Sequence, residues 1–149
     1  MSFKQVTVNA DGFLCNNDDG DTHGLKIYGS LAAGAGTIDA HGNKNYRQNK
    51  YLWQRDEDNN LATRTGGYYP CDGDNSFTAY LAEGDFIDFG GQIAEHNPWP
   101  VSNDEMGHYI TTLRYDDLQS GSTPYYVVFH ESDEQVTANF TINTIVRDS

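Results

Sequence analysis

Gln135-Val136-Thr137-Ala138-Asn139-Phe140-Thr141-Ile142-Asn143-Thr144-Ile145-Val146-Arg147 decides the fold. Val136, Ala138, Phe140, Ile142 and Val146 share one side of an extended chain. Gln135, Thr137, Asn139, Thr141, Asn143 and Arg147 share the other. Successive side chains of a strand point to opposite faces, so this alternation predicts a strand with one dry and one wet face. Just upstream, Tyr125-Tyr126-Val127-Val128-Phe129 is continuously apolar and rich in β-formers. It reads as a strand buried on both faces, entered through Ser122-Thr123-Pro124. His130 to Glu134 is the polar turn that makes the two a hairpin.

Shorter strands lie further out. Val6 and Val8 alternate near the start, Leu25-Lys26-Ile27-Tyr28 sits between two glycines, and Tyr51-Leu52-Trp53-Gln54 follows a basic loop, with Trp53 assigned to the core. Phe77, Ala79 and Leu81 alternate, Glu83-Gly84-Asp85 turns the chain into Phe86-Ile87-Asp88-Phe89, and His108 to Tyr115 alternates again. No stretch carries the apolar spacing of an amphipathic helix. Leu31 to Ala40 is rich in alanine and glycine and is expected to be loop. About eight strands with regular turn signals predict an all-β chain. The expected architecture is a single antiparallel β-sandwich of jelly-roll type over residues 1–149, with a partly closed β-barrel as the alternative. Asp56 to Asn75 and His96 to Met106 are the irregular stretches, expected as long loops that could carry function.

Composition agrees. Sixteen Asp, 13 Asn and 15 Gly make up nearly a third of the 149 residues, material that favours turns over helix interiors. The formal charge is −13, from 22 acidic and nine basic residues. Such a surface repels phosphate, so nucleic acid is not an expected partner. No apolar run approaches the length of a membrane-spanning helix. The start, Met-Ser-Phe-Lys-Gln-Val-Thr-Val, lacks the apolar stretch of a secretory signal, so the chain is expected to be cytoplasmic as synthesised or exported without a cleavable signal. The acidity could instead reflect adaptation to high salt.

The acidic residues gather in loops: Asn16-Asn17-Asp18-Asp19-Gly20-Asp21, Asp56-Glu57-Asp58-Asn59-Asn60 and Asp72-Gly73-Asp74-Asn75. Calcium takes six to eight hard oxygens. Leu61 stands where the twelve-residue helix–loop–helix calcium motif needs glycine, so a calcium site would be assembled from separate loops, with Asp18, Asp19, Asp21, Asp72 and Asp74 as candidate ligands. Solvated turns are the plainer reading of the same residues. Cys15 and Cys71 each precede an acidic loop, and a disulfide between them would pin those loops together. Without a secretory signal, free thiols are the better expectation.

Flat aromatic faces beside amides and carboxylates suit sugars, whose C–H faces stack while their hydroxyls hydrogen-bond. Trp99 lies between prolines in Asn97-Pro98-Trp99-Pro100, and Tyr68 and Tyr69 follow Gly66-Gly67. Trp99, Tyr68, Tyr69, Asn75 and Asn97 are therefore the candidate glycan-binding residues, although Trp99 could equally plug one end of the sandwich. Lys44, Arg47, Lys50, Arg55 and Arg64 concentrate the basic charge, and this segment could meet an acidic loop of a second copy in a homo-oligomer. The expected function is a ligand-binding module, a lectin-like carbohydrate binder assisted by calcium. A structural, assembly or toxin-accessory sandwich is one alternative. A small hydrolytic enzyme using loop carboxylates or His130 is another, weakened by the absence of nucleophile-elbow, phosphate-loop and zinc signatures.

Overall fold

The computed structural model describes residues 2–20 and 22–148. Ten strands follow one another: β1 (Ser2–Asn17), β2 (Leu25–Ile38), β3 (Lys44–Arg55), β4 (Leu61–Thr63), β5 (Tyr68–Pro70), β6 (Ser76–Leu81), β7 (Asp85–Glu95), β8 (Asp104–Arg114), β9 (Gly121–Glu131) and β10 (Glu134–Asp148). They form two antiparallel five-stranded sheets packed as a β-sandwich. In the first sheet β1 lies between β10 and a broken row made of β5 and β6, and β9 forms the far edge. In the second sheet β2 lies between β7 and a row made of β3 and β4, with β8 at the far edge.

The alternation read at the C-terminus holds as far as Ile142, whereas Val146, expected on the dry face, is 46% exposed. Val136, Ala138, Phe140 and Ile142 are buried, and β9 and β10 form the expected hairpin, its turn carrying Ser132 at a φ of 52°. The inward rows of both sheets meet in one apolar cluster. Phe140 of the first sheet packs on Phe89 of the second with ring centroids 5.1 Å apart, and Phe13 meets Trp53 edge-on at 4.7 Å. Each such side chain contributes about 1.5–3 kcal/mol on burial.

Three local readings are overturned. Residues 31–38 are not loop but the second half of β2, a central strand. Their smallness serves close packing, since a Cβ on Gly36 would stand 1.9 Å from the Asn45 carbonyl oxygen of β3. The basic stretch from Lys44 is likewise strand, continuous with Tyr51–Gln54 in β3. And β9 is not buried on both faces. Val127 and Phe129 point inward, but Tyr126 is 64% exposed and Val128 42%. An edge strand of a two-layer sandwich has only one covered face, so apolar residues on its other face stay in water.

Truncating the central ring of this packing is expected to be costly. Phe140→Ala should lower the unfolding free energy by about 3–5 kcal/mol, read from urea or guanidinium denaturation curves.

Candidate metal centre

At one end of the sandwich β7 finishes, β8 begins, and the β9–β10 hairpin turns. Glu95 is the last residue of β7 and pairs in register with Asp104, the first of β8. Glu134 is the first residue of β10, on the opposite sheet. Each continues an inward row: Glu95 follows Ile87, Phe89 and Ile93, Asp104 precedes Met106, and Glu134 precedes Val136 and Ala138. The three carboxylates therefore point between the sheets, and an oxygen of each lies within 4.8 Å of the others. Among the described residues, this is the group of acidic, histidine or cysteine side chains close enough to share one ion.

The electrostatics are severe. Glu95 keeps only 4% of its surface exposed, and its Oε2 has no hydrogen-bond partner. Carboxylates offer one another only acceptors unless one holds a proton. Burial, and then the neighbouring Glu134 and Asp104 carboxylates, push Glu95 up to about 9. An isolated buried carboxylate is expensive, so the cluster needs either a retained proton or a cation.

The loop joining β7 to β8 is built around this corner. Asn97 Nδ2 donates to Asp104 Oδ2 at 3.0 Å and to the Ser102 carbonyl at 2.9 Å, while Asn103 Oδ1 accepts from the Asn97 amide at 2.9 Å. Asn103 Nδ2 reaches the Tyr28 hydroxyl at 3.1 Å. His96 Nδ1 lies 3.1 Å from Glu57 Oε1, and hydrogen bonding from Asn103 and His96 holds the Glu57 carboxyl below its ordinary range. From this braced loop Trp99 projects with 92% of its surface exposed, and Val101 stands out beside it. Trp99 therefore does not plug the sandwich end.

The sequence-derived candidates scatter over the molecule. Asp18 accepts from the amides of Gly20 (3.0 Å) and Thr65 (3.3 Å), which hold its carboxyl below the usual range, and Asp19 adopts a φ of 56° in the same turn. Asp72 pairs with Arg55 at 3.4 Å and Asp74 with Lys50 at 2.7 Å, along the β3 edge. Asp21 lies outside the described residues. None of Asp18, Asp19, Asp72 or Asp74 belongs to the carboxylate cluster. Of the aromatic and amide set, Tyr69 packs against the core and accepts from the Arg64 amide at 2.8 Å, and Asn75 Nδ2 donates to the Ala10 carbonyl at 2.8 Å. Tyr68 lies on the outward face of the first sheet, on a different element from Trp99 and Asn97.

Cys15 and Cys71 are free and buried, and burial raises both thiols, Cys71 to about 12. The basic segment is engaged within the chain. Lys44 meets Asp88 at 3.0 Å, Arg47 meets Asp85 at 2.9 Å, and Arg64 donates to the Thr22 carbonyl at 2.6 Å. With the Lys50 and Arg55 pairs this neutralises the segment against aspartates distant in sequence, not against Asp56, Glu57 and Asp58.

No family model matches the chain, and no curated protein matches it. Among solved structures, a C2 domain of plant extended synaptotagmin 1 overlays with a TM-score of 0.48 at 7% identity, covering 97% of this chain and 96% of that one. Human GIVD cytosolic phospholipase A2, alone and in complex with methyl gamma-linolenyl fluorophosphonate, overlays with a TM-score of 0.44 at 9% and 8% identity. The chain spans 16% and 18% of those two chains. At these scores the likeness carries nothing about this chain's ligands, and the reading rests on its own residues. No helix among the described residues is long and apolar enough to cross a membrane.

Glu95 gives a pH signature. In the folded chain it keeps its proton up to about pH 9, whereas unfolded it loses it near pH 4.5. The folded state thus binds the extra proton, and stability falls as pH rises between those values. The lowered carboxyls of Asp18, Asp39 and Glu57 act the other way, but only as pH drops toward their own range. Denaturation in chelator from about pH 5 to about pH 9 should show stability declining for the native chain and a flatter profile for Glu95→Gln.

Proposed function

We propose that this β-sandwich is a ligand-binding module that holds a divalent cation, calcium by its donor chemistry, between Glu95, Asp104 and Glu134. The observation carrying the reading is the buried Oε2 of Glu95, without a hydrogen-bond partner and facing two further carboxylates. Hard oxygen donors with no thiolate or imidazole among them suit calcium or magnesium rather than zinc or copper. Carboxylates that bind through one or both oxygens suit the looser calcium shell better than the strict magnesium octahedron. Three carboxylates fall short of six to eight ligand atoms unless some bind through both oxygens, so positions remain for water, backbone or ligand oxygen.

Those open positions give the module its ligand. Trp99 offers a bare indole at the tip of a loop whose Asn97 is hydrogen-bonded to the cluster. An indole face beside a hydroxyl-seeking cation fits a glycan, which would stack on Trp99 and lend hydroxyl oxygens to the metal. Sugar recognition at the loop and calcium at its base would then be one event.

Adding calcium chloride to chelated protein should raise the unfolding temperature and displace the Glu95 proton, so the effect should be larger at pH 8 than at pH 6. Glu95→Gln and Asp104→Asn should each abolish the shift. An unchanged melting temperature at millimolar calcium, or an equal shift in Glu95→Gln, would remove the cation from the reading. For the glycan, an array probed with and without calcium should give calcium-dependent signals that Trp99→Ala loses. A blank array under both conditions would sink it.

A further inference from the structure

The outward face of the first sheet differs from the rest of this acidic surface. Outward positions are held on β1 from Gln5 to Leu14, on β10 from Gln135 to Ile145, on β9 from Ser122 to Val128, and on β6. Among these described residues, Asp11 is the one charged side chain; at the margins His130 is the next outward position of β9, and Arg147, the next on β10, donates from Nε to Gln5 Oε1 at 3.0 Å. Amides, hydroxyls and exposed tyrosines cover most of the remainder, with Leu14, Pro124, Val128 and Ile145 as apolar members. A solvated sheet face normally carries charges of both signs, so a neutral one marks contact with something uncharged.

The face has a centre at Asn139. Tyr126 stands directly opposite it on β9, and Gly12 directly opposite on β1. The Tyr68 ring occupies the space a side chain at Gly12 would fill, with its ring carbon and hydroxyl 2.7 Å from the Cβ position. Two tyrosines, 64% and 46% exposed, thus flank Asn139; their backbones are three strand spacings or about 14 Å apart, and the Tyr68 ring reaches back over β1. The Asn139 amide oxygen is shielded from solvent and has no hydrogen-bond partner, so it is not an open acceptor on the face. Beside it the Asp11 carboxylate, carried on a bulge of β1, accepts from the Thr141 hydroxyl.

We propose that this face is a second binding site, independent of the cation, that takes a neutral oligosaccharide lying across β9, β10 and β1. Pyranose C–H faces stack on Tyr126 and Tyr68, and hydroxyls bond the Asp11 carboxylate. The chemistry selects against charged ligands. No lysine or arginine stands on this face beside Asn139 to receive a uronate or sulfate, Arg147 being eight residues further along β10 and bonded to Gln5, and Asp11 repels both. The site shares no residue with the carboxylate cluster or the Trp99 loop and does not rest on either.

Isothermal titration of the full chain in chelator tests it, using the neutral β1,4-linked hexasaccharides of glucose, xylose and mannose, with hexagalacturonate as the charged control. At least one neutral hexasaccharide should bind. Tyr126→Ala and Tyr68→Ala should each weaken that binding by about tenfold or more. Trp99→Ala should leave it unchanged. Melting temperatures confirm that the tyrosine variants are folded, and Tyr126 is exposed enough for its removal to be tolerated. No binding by any neutral probe overturns the proposal, as does hexagalacturonate binding equally well, or affinity that survives Tyr126→Ala. Binding that appears only with calcium and is lost in Trp99→Ala also overturns it, while leaving the loop-end reading standing.

Discussion

Burial of two facing apolar rows is the constraint on which the rest of this molecule depends. β1 and β10 present Val6, Val8, Phe13, Val136, Ala138 and Phe140, and β2 and β7 present Leu31, Ala33, Ile87, Phe89 and Ile93. A sheet with one apolar face has no stable alternative to meeting another such face. Once Phe89 and Phe140 are in contact, the register of each central strand is fixed, because a slip of one residue would turn its whole apolar row outward. Everything chemically unusual in the protein lies where that rule reaches its end or its outer side.

The carboxylate cluster is what happens at the end. Alternation does not stop when apolar residues run out; it continues to dictate which way a side chain points. Glu95, Asp104 and Glu134 occupy the next inward positions beyond Ile93, Met106 and Val136. They are carried inward by the strands' parity and not by any affinity for the core. The cost falls on Glu95, whose raised titration reflects a charge that the scaffold obliges to be buried. Three carboxylates at convergent inward positions leave a buried charge that a retained proton or a cation would relieve.

Much of the fold was legible because period-two alternation is a local signal. The hairpin of β9 and β10, the inward Trp53 and the all-β character follow from neighbours in sequence. Residues 31–38 were misread because a Gly/Ala run argues for loop by propensity, whereas a central strand crowded by β3 requires small residues. The outward side of β9 was misread because a continuous apolar run cannot reveal whether a second layer covers it. The carboxylate cluster left a fainter trace. Its members lie at strand ends, Glu95 alone and Asp104 and Glu134 each beside one other acid, less conspicuous than the aspartate runs in the turns, yet each carries inward parity in its own strand. What sequence could not supply was the pairing of Glu95 with Asp104 and the approach of Glu134 from the other sheet, both properties of register and layer stacking. Among the described residues of the aspartate runs, Asp18 accepts backbone amides, and Asp72 and Asp74 pair with β3 cations.

Charge is sorted accordingly. The cations of β3 are neutralised by Asp72, Asp74, Asp85 and Asp88, so the basic strand is electrically quiet despite its sequence. The outward face of the first sheet stays almost uncharged, because its side chains bond one another through hydroxyls and amides, as Thr7 does with Thr78 and Thr137 with Asn16. Net negative charge is left to the turns and the carboxylate corner. The long-range field of this protein therefore attracts cations toward the whole surface, its carboxylates converge at one corner, and the field over the sheet face is weak. Two surfaces of such different electrostatic character coexist on so small a chain because a two-layer sandwich supplies both environments at once: strand ends where inward side chains meet, and an outer sheet face that the core does not need.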